Sequence, residues 1–240
     1  MTLLAVESLT ARHGLLEAVQ GVSLAMDQGD VVALVGANGA GKTTLLRTIA
    51  GAHRPASGQI TLDGQDVTRT RAHTRVQMGI ALVPEGRRLF ANLTVAENLQ
   101  VAAGRSADGR WGVESVLDAL PLLKPLRDRR AGALSGGEQQ AAAIGRALMT
   151  NPRVLLIDEL SLGLAPVAID SVYETLRSVI ADGMTVLLVD QDFTRAASVA
   201  GRVVCMLEGR FVLEGKGSEL TREQITEAYF GLAGRGGAGR

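Results

Sequence analysis

Cysteine is almost missing from this sequence: Cys205 is the only one in 240 residues. An intrachain disulfide framework is thereby excluded, which suits a reducing, cytoplasmic compartment. Inside the run VVCML, Cys205 reads as a small buried hydrophobe. Aromatic residues are scarce too, 3% of the chain against 46% hydrophobic. The apolar content is therefore Ala, Val, Leu and Ile, which suits a packed α/β interior and is thin for an all-β sandwich. Neither sign of charge is in excess, with 25 Lys and Arg against 25 Asp and Glu. That balance argues against wholesale nucleic-acid binding, which usually leaves a basic surplus. No stretch approaches the ~18 uninterrupted apolar residues of a membrane helix. Any membrane role is therefore expected to come through a partner. The start, MTLLAVESLTARHG, has no basic segment followed by an apolar one, so no signal peptide is expected.

The length fits one large domain, or a core with a subdomain. Three runs share one form: VVALVG (31–36), VLLIDE (154–159) and VLLVDQ (186–191). Each is strand-length, rich in β-branched residues and continuous rather than alternating. Strands covered on both faces read this way, so a largely parallel central sheet is expected, with IALVPEG (80–86) as a further strand. In such sheets ligands gather at the carboxyl ends of the strands. The first ~30 residues and GQITLDGQDVT (58–68) show shorter alternating strands with Gly turns, an antiparallel flank. Residues 92–150 read as helical, Thr94 and Glu97 forming a capping-box pair and Pro121 and Pro125 interrupting VESVLDALPLLKPL. This block lies between sheet elements, like an inserted subdomain. The Gly/Arg tail (231–240) reads as disordered rather than RNA-binding.

GANGAGKTT (36–44) lies between the strand VVALV and the helical pattern LLRTIAG. It matches G-x-x-x-x-G-K-[ST] in its strand–loop–helix setting. Gly36, Asn38, Gly39, Ala40 and Gly41 would let backbone N–H groups curl around phosphates, helped by the helix N-terminus. Lys42 would reach the β- and γ-phosphates, and the Thr43 hydroxyl would ligate Mg²⁺; Thr44 completes the nucleotide-binding set. Asp158 and Glu159 end a second strand. Asp158 is a candidate Mg²⁺ ligand, and Glu159 could polarise a water for in-line attack. LSGGEQQ (134–140) begins a helix, with Ser135 and Glu138 as a second capping box. The box does not explain Gly136 and Gly137, since glycine in a helix costs about 1 kcal/mol relative to Ala. Close approach of an anion to the backbone would explain them.

The phosphate loop, LSGGEQQ and VLLIDE, in this order, resemble the nucleotide-binding subunit of an ABC transporter, over about residues 3–230. The implied fold is an α/β P-loop NTPase of the ABC cassette type. A RecA-like core with an antiparallel flank would span 1–88 and 152–215, a helical subdomain 89–151, and a C-terminal helix and tail 216–240. In that family two cassettes pair head to tail, so Ser135, Gly136, Gly137 and Glu138 would serve the partner's nucleotide. VPEGRRLFANLTVAENL (83–99) and SLGLAP (161–166) resemble the LivF-type subunit of branched-chain amino-acid importers. That resemblance implies ATP and Mg²⁺ as cofactors. It also implies a second cassette that is a different chain, two transmembrane permease subunits, an extracytoplasmic solute-binding protein, and a peripheral place on the cytoplasmic membrane face.

The chain also departs from the usual cassette pattern. His13 stands where most cassettes stack an aromatic on adenine, and Leu160 replaces a proline. Glu85 stands where most have Gln, and two readings stay open for it, an approach to Mg²⁺ or a relay to the membrane subunits. Gln191 stands where most have a γ-phosphate-contacting His. Glutamine keeps donors and an acceptor but is never cationic, and in some GTPases it positions the attacking water. The LivF type also carries Gln there. Two functions follow: an ATPase in which Lys42, Glu159 and Gln191 act on ATP, or a cassette that only clamps ATP while its partner hydrolyses. A soluble ABC ATPase of translation or repair fits less well, since those usually carry two cassettes or long coiled-coil insertions.

Overall fold

The computed structural model describes residues 1–103 and 109–230; the tail expectation at 231–240 lies outside the described residues. The chain opens with two long antiparallel strands, β1 (Thr2–His13) and β2 (Leu16–Asp27), followed by β3 (Val31–Val35) and α1 (Lys42–Ile49). Next come β4 (Ser57–Leu62), β5 (Gln65–Asp66), α2 (Ala72–Met78) and β6 (Ile80–Val83). The helical segment holds α3 (Val95–Val101), α4 (Val113–Ala119) and α5 (Gly136–Leu148), with 3₁₀ turns at Pro121–Leu126 and Ala131–Ala133. The chain then runs β7 (Val154–Ile157), α6 (Pro166–Ala181), β8 (Thr185–Val189), α7 (Phe193–Ala197), β9 (Arg202–Leu207), β10 (Arg210–Lys216) and α8 (Arg222–Phe230).

Two sheets form. The antiparallel flank has the order β2-β1-β4-β5, and the central sheet has the order β10-β9-β3-β8-β7-β6. All neighbours in the central sheet are parallel except β10 with β9. The four apolar runs are thus β3, β6, β7 and β8, as their continuous hydrophobicity predicts. Every residue of β3, β7 and β8 is buried. The reason is two-sided cover. Val35, Ile157 and Leu188 pack with α5 and α6 residues such as Ile144 and Leu176. Leu34, Leu156 and Val189 pack with Leu45 and Ile49 of α1 and with Leu4 and Ile60 of the flank.

The flank strands are longer than their alternation suggests, 12 residues each, because bulges let β1 and β2 bend while staying paired. Residues 92–150 are less continuously helical than expected. Proline interrupts the i−4 ladder, so α4 gives way to a 3₁₀ turn that holds Pro121 and Pro125. The Thr94 and Ser135 capping boxes both form, at α3 and α5. VVCML is part of β9, beside β3, with Cys205 fully buried.

Arg75 of α2 is 1% exposed. Its guanidinium donates to the carbonyls of Thr48 (2.8 Å) and Ile49 (2.7 Å), which end α1, and to those of Thr68 (2.9 Å) and Thr70 (3.1 Å). A cation on the last carbonyls satisfies acceptors that the helix leaves open and suits its negative end. Among the described residues no helix is long and apolar enough to cross a membrane.

Candidate functional site

The site forms where β3, β7 and β8 end. The loop between β3 and α1 needs glycine at two positions for packing reasons alone. A Cβ on Gly36 would lie 2.2 Å from the Met206 carbonyl oxygen, and one on Gly41 (φ 106) would lie 2.0 Å from that of Ala18. Real Cβ atoms do not approach a carbonyl so closely, so the loop is pressed onto β9 and β2 by its own backbone. Asn38 and Gly39 stand exposed at its outer turn, while Ala40 is buried against the flank.

Lys42 opens α1 and is 4% exposed. Its ammonium donates to the carbonyls of Gly36 (2.7 Å) and Ala37 (3.0 Å). Burial lowers its pKa, and the nearby carboxylates of Glu159 and Asp158 oppose that shift. The side chain is therefore held inside the loop that it would share with a phosphate. Thr43 donates its hydroxyl proton to Asp158 Oδ1 at 2.9 Å. The other oxygen, Asp158 Oδ2, is buried with no hydrogen-bond partner. Burial raises the Asp158 pKa, the Thr43 bond pulls it down, and Glu159 and Glu85 push it up again. An orphaned carboxylate oxygen beside a hydroxyl fits a hard divalent cation that completes its shell with water and phosphate oxygens. No cluster of three His, Cys, Asp or Glu suited to a metal occurs among the described residues. Glu85, two residues beyond β6, is exposed and ranks last among the charges that act on Asp158.

Glu159 follows Asp158 with φ 53. A left-handed backbone costs a non-glycine residue about 1–3 kcal/mol and persists only where its surroundings hold it. Here the next N–H, that of Leu160, donates to the Val189 carbonyl at 3.3 Å, and the Glu159 carboxylate accepts from Gln191 Nε2 at 3.1 Å. The sheet thus joins Glu159 and Gln191, which lie far apart in sequence, as a bonded pair. His13, at the flank hairpin, is exposed; its Nε2 lies 3.1 Å from Thr44 Oγ1. His53 leans on its ring at 4.7 Å between centroids, tilted by 43°. The imidazole therefore sits at the rim of the phosphate loop with one neighbour already against it.

Ser135, Gly136, Gly137 and Glu138 occupy the start of α5. Ser135 Oγ accepts from the Glu138 N–H at 3.4 Å, and Glu138 accepts from the Ser135 N–H at 2.6 Å. The two glycines also have a reason inside the chain. A Cβ on Gly136 would press Leu164 at 2.8 Å, and one on Gly137 would press Ala168 of α6 at 3.1 Å. The neighbours are a methyl of the flexible Leu164 side chain and the Ala168 methyl, so packing is a second reason for the two glycines beside the approach of an anion.

Several further residues at the site have no role assigned by the sequence. Arg146 of α5 donates to the carbonyls of Arg87 and Arg88, both left-handed, and so holds the turn after β6. Arg87 in turn donates to Gln139 Oε1 at 3.2 Å. The half-buried Ser161 joins the buried Tyr173 and Asp190 in a hydrogen-bonded group beside Gln191. Arg87, Gln139, Ser161 and Asp190 lie inside stretches already singled out, but their contacts become visible only when loops from different strands meet.

Known proteins match this arrangement. The family model described as ABC transporter matches residues 19–161. The chain is 40% identical to the high-affinity branched-chain amino acid transport ATP-binding protein BraG of Pseudomonas aeruginosa, covering 95% of this chain and 100% of that protein. It is 36% identical to the probable branched-chain amino acid transport ATP-binding protein LivF of Archaeoglobus fulgidus, covering 83% of this chain and 86% of that one. Among solved structures, the ADP conformation of an ATP-binding cassette of an ABC transporter superposes with a TM-score of 0.82 at 30% identity, covering 96% of this chain and 99% of that one.

Proposed function

The chain belongs to the ABC transporter family, and from that premise we propose that it is the ATP-binding, ATP-hydrolysing cassette of an importer for branched-chain or related hydrophobic amino acids. The observation that carries hydrolysis is the bonded pair Glu159–Gln191 at the strand edge that also holds Lys42 and Asp158. The solute class is supported by the names of the two relatives above.

Lys42 leaves its loop carbonyls for the β- and γ-phosphate oxygens and stabilises the charge carried by the transferring group. Thr43 and Asp158 would hold Mg²⁺, which when bound neutralises charge on the phosphate oxygens. Glu159 accepts a proton from a water whose oxygen bonds to the γ-phosphorus while the bridging P–O bond breaks, leaving ADP and phosphate. Gln191 orients the Glu159 carboxylate and the water through its amide. His13 stacks on or borders the base. Glu85 keeps its two open roles, approach to the metal or relay to the membrane subunits.

Cassettes of this family work as dimers with permeases. For this chain we read a heterodimer with a second, different cassette. The segment 89–151 presents Ser135, Gly136, Gly137 and Glu138 to the partner's nucleotide, on a core made of 1–88 and 152–215. Two permease subunits anchor the pair to the cytoplasmic membrane face, and an extracytoplasmic solute-binding protein supplies substrate. The chain binds no nucleic acid in this role.

Glu159→Gln tests the chemistry. In the assembled transporter it should keep ATP binding and lose at least about a hundredfold in turnover, the usual worth of a general base. Equal turnover in variant and wild type would instead support a cassette that only clamps ATP.

A further inference from the structure

The two acids that flank Gln191 have different tasks. Asp192 caps α7, accepting the Arg195 N–H at 3.1 Å. Asp190 is 1% exposed and follows directly on β8. Its Oδ1 accepts from Ser161 Oγ at 2.7 Å and from the Asp192 N–H at 3.0 Å, and its Oδ2 accepts from the Tyr173 hydroxyl at 3.0 Å. Burial, and then the Asp190 charge, raise the Tyr173 pKa, so that hydroxyl stays a donor. One buried carboxylate thus gathers three donors from three segments.

Their positions in the chain give this cluster its meaning. Ser161 lies two residues beyond Glu159, and Gln191 directly follows Asp190. The loops leaving β7 and β8 are therefore tied by Ser161 to Asp190 and by Gln191 to Glu159. The Leu160 N–H bond to Val189 adds a backbone tie between them. Glu159, in its left-handed conformation, sits inside this set of ties.

We propose that Asp190 is a positioning residue for ATP hydrolysis: its carboxylate holds Ser161 and the Asp192 N–H, and so fixes the turn that carries Gln191 against the loop that carries Glu159, keeping Glu159 where it takes the proton of the attacking water. This rests on the reading of Glu159 as that base. The competing role is a simple staple of α6 to β8 through Tyr173. The two sides of the carboxylate separate them. Ser161→Ala cuts the side facing the Glu159 loop, and Tyr173→Phe cuts the side facing α6.

Turnover and KM for ATP are measured on the full chain assembled with its transporter subunits, and melting temperature on the full chain. Ser161→Ala should lower kcat about tenfold, the worth of a hydrogen bond to a charged group, with KM and melting temperature unchanged. Ser161→Thr, which keeps the hydroxyl, should restore kcat. In a Gln191→Ala background the same Ser161→Ala change should cost less than about twofold, because coupled residues are not additive. Tyr173→Phe should lower the melting temperature and leave kcat within about twofold. Wild-type kcat in Ser161→Ala would overturn the proposal, as would a kcat loss matched by equal losses in KM and melting temperature. Glu159→Gln is run alongside. If it retains wild-type turnover, the reading of Glu159 has failed. If it abolishes turnover while Ser161→Ala is silent, only the role of Asp190 has failed.

Discussion

Asp158→Asn should stabilise the nucleotide-free protein and weaken its response to Mg·ATP. In the structure Asp158 is 1% exposed, with Oδ1 bonded to Thr43 and Oδ2 bonded to nothing. A buried polar atom left unsatisfied costs about 1–3 kcal/mol, and more if charged. Burial also raises the Asp158 pKa. A group whose folded pKa lies above its unfolded one contributes stability at low pH and loses it as pH rises through the folded value. At neutral pH, with the metal chelated, the ionised carboxylate is therefore a liability. Asparagine keeps the acceptor for Thr43 and removes the charge, but its amide still lacks a partner, so the gain is about 1 kcal/mol. For a chain of this size that is about 2–4 °C in melting temperature. The gain should shrink in acid, where the wild-type carboxyl is itself neutral. Saturating Mg·ATP reverses the order: at a hundred times its dissociation constant a ligand adds about 2.7 kcal/mol, which the wild type receives and the variant largely forgoes. Scanning calorimetry of both proteins at pH 8 and at the lowest pH at which both still fold, with chelator and then with Mg·ATP, reads all four conditions. A variant that melts below wild type in chelator at both pH values, or gains as much from Mg·ATP, would refute the reasoning.

Gly41→Ala should lower the melting temperature and weaken ATP binding at least about tenfold, since φ 106 and a carbonyl 2.0 Å from the new methyl force the loop to move; an unchanged melt and unchanged titration with a fluorescent nucleotide would contradict this. Gln191→Ala should lower turnover about tenfold by releasing Glu159, while Gln191→His should stay near wild type; equal rates for Ala and Gln would make residue 191 only a strand end. Cys205 is fully buried, and burial pushes its thiol pKa up to about 11. It should resist alkylation at pH 8 until the protein is unfolded in denaturant; rapid labelling of the native chain would show that β9 opens.

How much of this was legible in the sequence depends on whether the signal is local. The strands β3, β6, β7 and β8 announce themselves because two-sided burial demands unbroken apolar runs. The strand β9 is buried in the same way, but RVVCML was read only for its cysteine. Lys42, Asp158 and Glu159 follow strands that can be seen in advance, so their meeting at one edge was expected. Asp190 stood in plain view beside Gln191 and had no role, because its partners Ser161 and Tyr173 reach it only through the pairing of β7 with β8 and the packing of α6. Gly136 and Gly137 were recognised as out of place in a helix. Leu164 and Ala168, which come close to them only in the fold, add a packing reason for them. Arg75 was invisible, since nothing in HTRVQM marks an arginine whose four partners are carbonyls.

The glycines of the phosphate loop bear on how such a chain would decay if selection for ATP turnover were lifted. Gly36 and Gly41 answer to the carbonyls of Met206 and Ala18, so purifying selection for a folded protein would preserve them after catalysis had ceased. Lys42 and Asp158 are under the opposite pressure, because each holds a charge in a buried place and folding alone gives little reason to keep it. A degenerate descendant should therefore retain its glycines and lose its charges first, and in telling a living cassette from a relic the lysine and aspartate are the informative letters.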